Sequence, residues 1–396
     1  MPSATFSPNL ESSKGKKIEQ LPSGTSITII GAGAFGGWTA LNLLRKKFNV
    51  TLIDSWGPGN SRSSSGDETR VIRSTYGANE FYFDLNVRAL QLWKEHEVRW
   101  KRKLFQNKGV LWMCYEERTP EVDNSIPFTI KHQMEYEKLS VYDLSTRYPI
   151  LNTEDLSHAY FDPYGGCLRA REACQAVQKA FIDEGGAYIQ ANVHPGKIEN
   201  GRLTEVLLST GRSIKSNVFI FACGSWLGTL FPDVLGDIIK CTKQEVYYLG
   251  VPPQNADAFE KFPVWVDVDG NDFYYGIPGN NYRGFKIGVD KRGEAFDPTT
   301  GDRTPNAGVL SDARKFISHR FPGLENAPII ENRVCPYENS PDGNFLFDHH
   351  PEAMNLFFLG GGSGHGFKHG PALGELIALY FTGSVQIPYD FLLKGG

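Results

Sequence analysis

The sequence has no uninterrupted apolar run that approaches the ~20 residues a membrane-spanning helix needs. Residues 1–24 are polar, are broken by proline and glycine, and lack the apolar segment of a signal peptide, so we interpret them as a disordered tail. The 396 residues include 41 Lys and Arg against 45 Asp and Glu, a net charge of −4 that gives no basic excess for nucleic acid. These absences predict a cytoplasmic protein that acts on small molecules and binds neither membranes nor nucleic acids.

Paired cysteines and several common catalytic motifs are also missing. The six cysteines are scattered singly with no CxxC pair, which is typical of a reducing compartment. The sequence contains no HExxH, GxSxG or P-loop motif. The adjacent His349 and His350 would point to opposite faces of a strand. We therefore predict no metal site.

The segment SITIIGAGAFGGWTALNLLRKKFNVTLIDSW has the pattern of a strand, a glycine turn, a helix and a second strand. Gly31, Gly33 and Gly36 form a GxGxxG motif, in which the glycines permit a tight turn, the approach of a pyrophosphate and close packing of the helix on the strand. Asp54 ends the second strand, where an acidic residue binds a ribose hydroxyl. The segment predicts a dinucleotide site. It leaves FAD and NAD open, while the acidic residue disfavours NADP.

Later segments predict two kinds of structure. EACQAVQKAFIDEGGAYIQAN and SNVFIFACGSW are typical of a helix and buried strands in the same layered domain. Aromatic residues and short alternating runs such as VWVDVDGNDFYYGIPG favour antiparallel strands elsewhere. We expect an α/β (α+β) fold. Residues 25–100, 161–236 and 331–396 would form a Rossmann-like nucleotide domain, and residues 101–160 and 237–330 an inserted, mostly antiparallel substrate domain.

Four further segments, SRSSSGDETRVIRSTYG, GFKIGVD, RVCPYENSPDGNFLFDHHP and GGGSGHGFKHG, are specific in combination. Together they resemble the monomeric sarcosine oxidase and N-methyltryptophan oxidase family of flavoproteins, in the wider D-amino-acid-oxidase-like group, over nearly the whole chain. The resemblance implies FAD as cofactor and a nucleotide domain of the glutathione-reductase/D-amino-acid-oxidase type. It also implies oxidation of the C–N bond of a small carboxylate-bearing amine to an imine, with O2 reduced to H2O2.

The resemblance also implies roles for individual side chains. Lys286 matches the lysine that activates oxygen beside the flavin, where a fixed cation would stabilise developing superoxide. Arg70 and Lys368 match the pair that holds the substrate carboxylate, since a guanidinium offers a bidentate fork and an ammonium adds a point charge. Tyr275 and Tyr337 fall where the family has aromatic residues of the substrate pocket.

Cys335 matches the cysteine that bonds through sulfur to the flavin 8α position, so the resemblance implies covalent attachment. The other cofactor contacts that we expect, besides the glycine motif and Asp54, are Thr69, Arg73, Val193, Gly364 and Lys368. Arg73 could equally hold the flavin or its own loop. The glycine-rich loop of residues 360–370 would let backbone amides approach the flavin, with a helix N-terminus near the reduced ring.

One departure from the family pattern leaves the substrate open. Sarcosine-type enzymes have a histidine four residues after the oxygen-activating lysine, whereas this chain has Asp290. Either the pocket accepts a more basic substrate or the reactive amine is held differently. The alternatives are a primary L-amino acid, cyclic imino acid or fructosyl amino acid oxidase, a dehydrogenase with a non-oxygen acceptor, and a tRNA-modifying flavoprotein domain. We expect a monomer.

Overall fold

The computed structural model describes residues 15–269, 272–279 and 283–394. Within these residues the helices are α1 Ala34–Arg45, α2 Glu80–Trp100, α3 Pro120–Asp123, α4 Ile126–Lys131, α5 Val141–Arg147, α6 Ala170–Asp183, α7 Leu227–Leu230, α8 Pro232–Leu235, α9 Ala256–Lys261, α10 Ala307–Arg320 and α11 Gly370–Phe381. The strands are β1 Gly15–Lys16, β2 Ser26–Ile30, β3 Asn49–Asp54, β4 Thr69–Ile72, β5 Phe105–Gln106, β6 Val110–Cys114, β7 Glu137–Ser140, β8 His158–Asp162, β9 Gly166–Arg169, β10 Ala187–Gln190, β11 Val193–Pro195, β12 Ile198–Glu199, β13 Arg202–Leu203, β14 Val206–Leu208, β15 Ser213–Ile214, β16 Val218–Phe221, β17 Lys240–Leu249, β18 Val264–Asp269, β19 Asp272–Ile277, β20 Phe285–Val289, β21 Ile329–Asn339, β22 Leu346–His350, β23 Ala353–Gly360 and β24 Ile387–Pro388.

A six-stranded sheet forms the nucleotide-binding half of the fold. Its order is β10-β3-β2-β16-β23-β22, and every pair is parallel except the edge pair of β22 with β23. The central strands read as continuous apolar runs because helices or a second sheet cover both faces. This is the layered, Rossmann-like domain predicted from the βαβ segment and the later helix and strands, and the α/β (α+β) fold class is confirmed.

Two glycines allow helix α11 to pack closely against helix α1. A Cβ at Gly374 would lie 2.6 Å from the Trp38 carbonyl carbon, and one at Gly370 would lie 2.5 Å from Trp38 Cδ1. Helix α11 therefore packs directly on α1, with Trp38 buried between them. The contact fixes the loop before α11 next to the glycine turn before α1.

An eight-stranded sheet forms the second half, in the order β21-β17-β20-β19-β18-β6-β8-β7. Its pairs are antiparallel except that of β6 with β18. Strand β21 pairs with β17 throughout its length and carries Cys335 opposite Gln244. The antiparallel sheet thus takes in β21, most of which lies in the segment assigned above to the nucleotide domain. The domain boundaries stay a prediction.

The segment before β2 is ordered where the structure describes it. Gly15 and Lys16 pair with Pro388 and Ile387, and Lys16 Nζ lies 2.6 Å from Asp348 Oδ1. The predicted disordered tail does not extend to these residues, because the pairing with β24 and this ion pair hold them; residues 1–14 lie outside the described residues. In the part of the chain that is described, no helix is long and apolar enough to cross a membrane.

Candidate active site

The glycine turn between β2 and α1 brings backbone segments closer than side chains would allow. Gly31 has φ +108°, and a Cβ there would overlap the carbonyl oxygen of Ala222. A Cβ at Gly36 would overlap the carbonyl oxygen of Gly31. Gly33 is the N-cap of α1 and lines a cavity, so the partly positive helix N-terminus borders that cavity.

Asp54 is fixed at the end of β3 by backbone donors. Its Oδ2 accepts from the Ala32 N–H at 2.7 Å, and its Oδ1 accepts from the N–H groups of Trp56 and Gly57 at 2.9 and 2.7 Å. Burial raises the pKa of Asp54, and the three N–H groups oppose that rise. The carboxylate therefore holds the turn together while it lines the cavity.

The cavity has a volume of about 340 Å³ and joins the glycine turn to the loop of residues 360–370. Gly31, Gly33, Asp54 and Val193 line it together with Arg70, Tyr337 and Gly364. Seven of the residues predicted to contact a cofactor or substrate therefore line the same cavity.

Asp67 is the centre of a buried charge cluster that sequence reasoning missed. Its carboxylate accepts from Lys286 Nζ, from Arg70 Nη1 at 2.7 Å and from the Tyr248 hydroxyl at 2.7 Å. The carbonyl oxygen of Thr69 accepts from the same two cations, at 3.0 and 2.9 Å. Burial disfavours the charge of Asp67, yet Lys286 and Arg70 hold its pKa well below the usual range. Burial lowers the pKa of Lys286. The cluster fixes Lys286 in a dry environment behind the cavity.

A second charged group contains Lys368, Arg73 and Asp290. Lys368 Nζ donates to the His365 carbonyl oxygen at 2.9 Å and lies 5.1 Å from the ring centroid of Tyr76. The Arg73 guanidinium carbon lies 5.0 Å from the same centroid. Burial and Arg73 lower the pKa of Lys368 well below its usual value, while Asp290 opposes that fall. The structure brings Lys368 together with Arg73 at the ring of Tyr76, while Arg70 is bonded to Asp67.

Aromatic side chains and a thiol separate the two charged groups. Tyr275 and Tyr337 lie close enough to affect each other's ionisation, and burial raises the pKa of both phenols. Cys335 is buried, and its Sγ lies 3.8 Å from Arg70 Nη2. Burial raises the pKa of the Cys335 thiol, which Arg70 opposes. A Cβ at Gly364 would lie 2.7 Å from Tyr337 Cε2, so the glycine keeps this end of the cavity open.

Glu338 is a further cavity residue that the sequence did not single out. It is 8% exposed, and its Oε2 has no hydrogen-bond partner. Burial raises the pKa of Glu338 to about 7, against the backbone N–H groups of Gly362 and Gly361. A carboxyl group that keeps its proton can donate to an acceptor-rich ligand. This carboxyl group and the side-chain-free cradle at Gly31 and Gly33 both fit a bound dinucleotide such as FAD.

The sequence carried little signal for the residues it failed to identify. Asp67 lies in the polar loop SSSGDETR and Glu338 in the polar run ENS, both of which read as exposed. Tyr76 follows the same loop, yet its hydroxyl contacts His365 Nδ1 at 3.2 Å and His369 Nε2 at 2.6 Å. These groups meet their partners only where segments distant in sequence come together. A local sequence pattern therefore does not reveal them.

The parallel sheet, its glycine turn and the cavity that continues to a second sheet are typical of an enzyme that binds a dinucleotide. The chain belongs to the DAO family of FAD-dependent oxidoreductases, whose model matches residues 26–379. FAD is therefore the cofactor that the site takes, and the chain is a FAD-dependent oxidoreductase that acts on C–N bonds.

Curated relatives span almost the whole chain. It is 28% identical over 367 residues to monomeric sarcosine oxidase of Bacillus sp. (strain NS-129), covering 91% of this chain and 94% of that protein. It is 27% identical over 358 residues to N-methyl-L-tryptophan oxidase of Yersinia pestis (strain Pestoides F), covering 89% and 94%. The resemblance stated from the motifs is confirmed.

Solved structures show the same fold. L-proline dehydrogenase from P. horikoshii superposes with a TM-score of 0.79 at 21% identity, covering 93% of this chain and 96% of that one. Fructosyl peptide oxidase from E. terrenum superposes with a TM-score of 0.79 at 19% identity, covering 96% and 94%.

Proposed function

We propose that this protein oxidises the C–N bond of a small carboxylate-bearing amine, such as an N-methyl amino acid, to an imine, with O2 reduced to H2O2. One observation carries the proposal: Arg73 and Lys368 converge on the ring of Tyr76, beside the glycine loop that lines the FAD cavity. The names of the relatives, sarcosine oxidase and N-methyl-L-tryptophan oxidase, support an amine substrate of this kind.

Arg73 and Lys368 would hold the substrate carboxylate. Arg73 lies between two aromatic rings, with its guanidinium carbon 5.0 Å from the centroids of Tyr76 and Trp112, which fixes the plane of its fork. Burial and the repulsion from Arg73 both lower the pKa of Lys368. An anion placed between them removes that repulsion. In this proposal Arg70 holds the loop and the cofactor, because its guanidinium is already bonded to Asp67 and to the Ser64 carbonyl oxygen.

The remaining residues would serve the cofactor and oxygen. FAD, when bound, would supply the acceptor for the hydride equivalent that leaves the carbon next to nitrogen, with O2 as the final acceptor of the electrons. Lys286 would stabilise negative charge developing on oxygen, since its ammonium is fully buried and held in place by Asp67. Tyr275 and Tyr337 would line the substrate side of the site.

Cys335 would anchor the flavin covalently. Its Sγ lies beside the guanidinium of Arg70, which would stabilise a thiolate and so favour bond formation. Acid-precipitated protein should retain its yellow colour, and the Cys335→Ala variant should lose it to the supernatant. Colour that washes out of the wild-type precipitate would refute the attachment.

We also propose that the protein is cytoplasmic, in keeping with six cysteines that form no disulfide among the described residues. We propose that it is a monomer.

A panel of amines assayed for peroxide tests the function. The panel contains sarcosine, N-methyltryptophan, proline, a fructosyl amino acid and ordinary L-amino acids, each with a matched amine that lacks the carboxylate. Arg73→Gln should raise KM for the best acid about 100-fold, because a charged hydrogen-bonded pair is lost, and should leave the matched amine almost unaffected. Arg147→Gln, a change at an exposed ion pair, is the control. Equal effects of Arg73→Gln on acid and amine would refute the assignment.

A further inference from the structure

Asp290 lies next to Gly364, one of the glycines that line the cavity. It follows β20 directly, and its N–H donates to the Phe273 carbonyl oxygen at 2.7 Å, which fixes the backbone. A Cβ built on Gly364 would lie 3.2 Å from Asp290 Oδ1 and 2.7 Å from Tyr337 Cε2. The carboxylate and the phenol therefore flank the glycine at the substrate end of the cavity.

The cations around Asp290 come from two other segments as well as from its own. Arg73 just after β4, Lys368 from the loop before α11 and the neighbouring Arg292 act on it. The phenols of Tyr76, Tyr275 and Tyr337 also lie close enough to sense its charge. Desolvation by the surrounding protein raises the pKa of Asp290, and the three cations oppose that rise. Asp290 is exposed, in contrast to the fully bonded Asp67.

This arrangement complements a zwitterion. An amino acid reaches the enzyme near neutral pH with a carboxylate and a protonated amine. In the charged group of Lys368, Arg73 and Asp290, the two cations fit the substrate carboxylate. Asp290 is the anionic member of the group, and it fits the substrate ammonium. A protonated amine has no lone pair with which to assist loss of hydride from the adjacent carbon, so its proton must leave before oxidation.

We propose that Asp290 binds the substrate ammonium and accepts its proton, so that the amine is oxidised in its neutral form. The N–H bond of the ammonium breaks, an O–H bond forms on the Asp290 carboxylate, and no electrons are transferred in this step. Because Asp290 is exposed, the carboxyl group then returns the proton to water. This inference rests on the proposed function and names the residue that sets its substrate class, zwitterionic amino acids.

Asp290→Asn keeps the size of the side chain and removes its charge, and two readouts should then move in opposite directions. The first uses methoxyacetate, a carboxylate whose ether oxygen stands in for the amine and carries no proton to lose. Its binding to the oxidised holoenzyme, followed by the flavin absorption spectrum, should become several-fold tighter because a repelling anion is gone. The second is the rate of flavin reduction by the best amino acid without oxygen. It should fall at least 10-fold at pH 7 and recover as the pH approaches the pKa of the free amine.

Asp257→Asn, a change on exposed helix α9, is the matched control and should leave both readouts unchanged. An Asp290→Asn variant with a uniform loss of reduction rate at every pH, or with weaker methoxyacetate binding, would overturn the inference. If no amine in the panel reduces the wild-type flavin, the proposed function fails and this inference with it. If the wild type is reduced and Asp290→Asn keeps its pH profile, only the inference fails.

Discussion

Replacing Asp67 by asparagine should strongly destabilise the protein. The side chain is fully buried, and its three strong partners are Lys286, Arg70 and Tyr248. Lys286 is 1% exposed and Arg70 is 14% exposed at the side chain, so the substitution leaves two desolvated cations without their anion. Breaking a buried ion pair from one side costs about 3–5 kcal/mol. We expect a loss of that size in the free energy of unfolding measured with urea at pH 7.

Two further variants sharpen this measurement. Asp237→Asn removes a direct ion pair, with Lys240 at 2.9 Å, from a side chain that is fully exposed, and should leave the urea transition unchanged. The double variant Asp67→Asn/Lys286→Met removes one uncompensated cation and should recover about 1–2 kcal/mol of the loss. A loss below about 1 kcal/mol for Asp67→Asn alone would show that water reaches the cluster, which would refute the dry environment assigned to Lys286.

Three other predictions follow from the same site. The pKa of Glu338 is raised from 4.5 to about 7, so the folded chain binds the extra proton and loses stability as the pH rises through that range. Glu338→Gln should remove this dependence and make the flavin-free chain more stable at pH 8 by about 3 kcal/mol, and an unchanged pH profile of unfolding would contradict it. Gly31→Ala should abolish flavin binding because its methyl group meets the Ala222 carbonyl, whereas Gly211→Ala, also at positive φ but with nothing within 4 Å, should keep a full flavin content. Lys286→Met should slow reoxidation of the reduced flavin by O2 at least 100-fold while changing reduction far less; equal losses in both half-reactions would reject its oxygen role.

The sequence predicts the nucleotide half of the fold well because its signals are local. The glycine turn, the helix after it and Asp54 lie within one short segment, and Asp54 binds the turn inside that segment. The antiparallel character of the second half could be predicted from alternating runs. Its strand order could not, because β21 joins β17 across a long stretch of chain.

The pairing of the charged residues is harder to predict from sequence. Arg70 and Arg73 are three positions apart on and just after β4, and side chains three apart along a strand point to opposite faces. One arginine therefore meets Asp67 and the other meets Lys368, although both lie in the motif DETRVIR. The motif located the cations, and the period of the strand decides which of them faces the proposed substrate.

The central claim is that this flavoenzyme takes electrons from the C–N bond of an amino acid held by its carboxylate. The most direct test is an anaerobic titration of the purified yellow protein, with the visible absorption of oxidised flavin recorded after each addition. We predict that an N-methyl or related amino acid bleaches the flavin completely, and that the matched amine without a carboxylate does so far more slowly. Flavin that stays oxidised with every amino acid in the panel, or that bleaches equally fast with amines lacking a carboxylate, would contradict the claim.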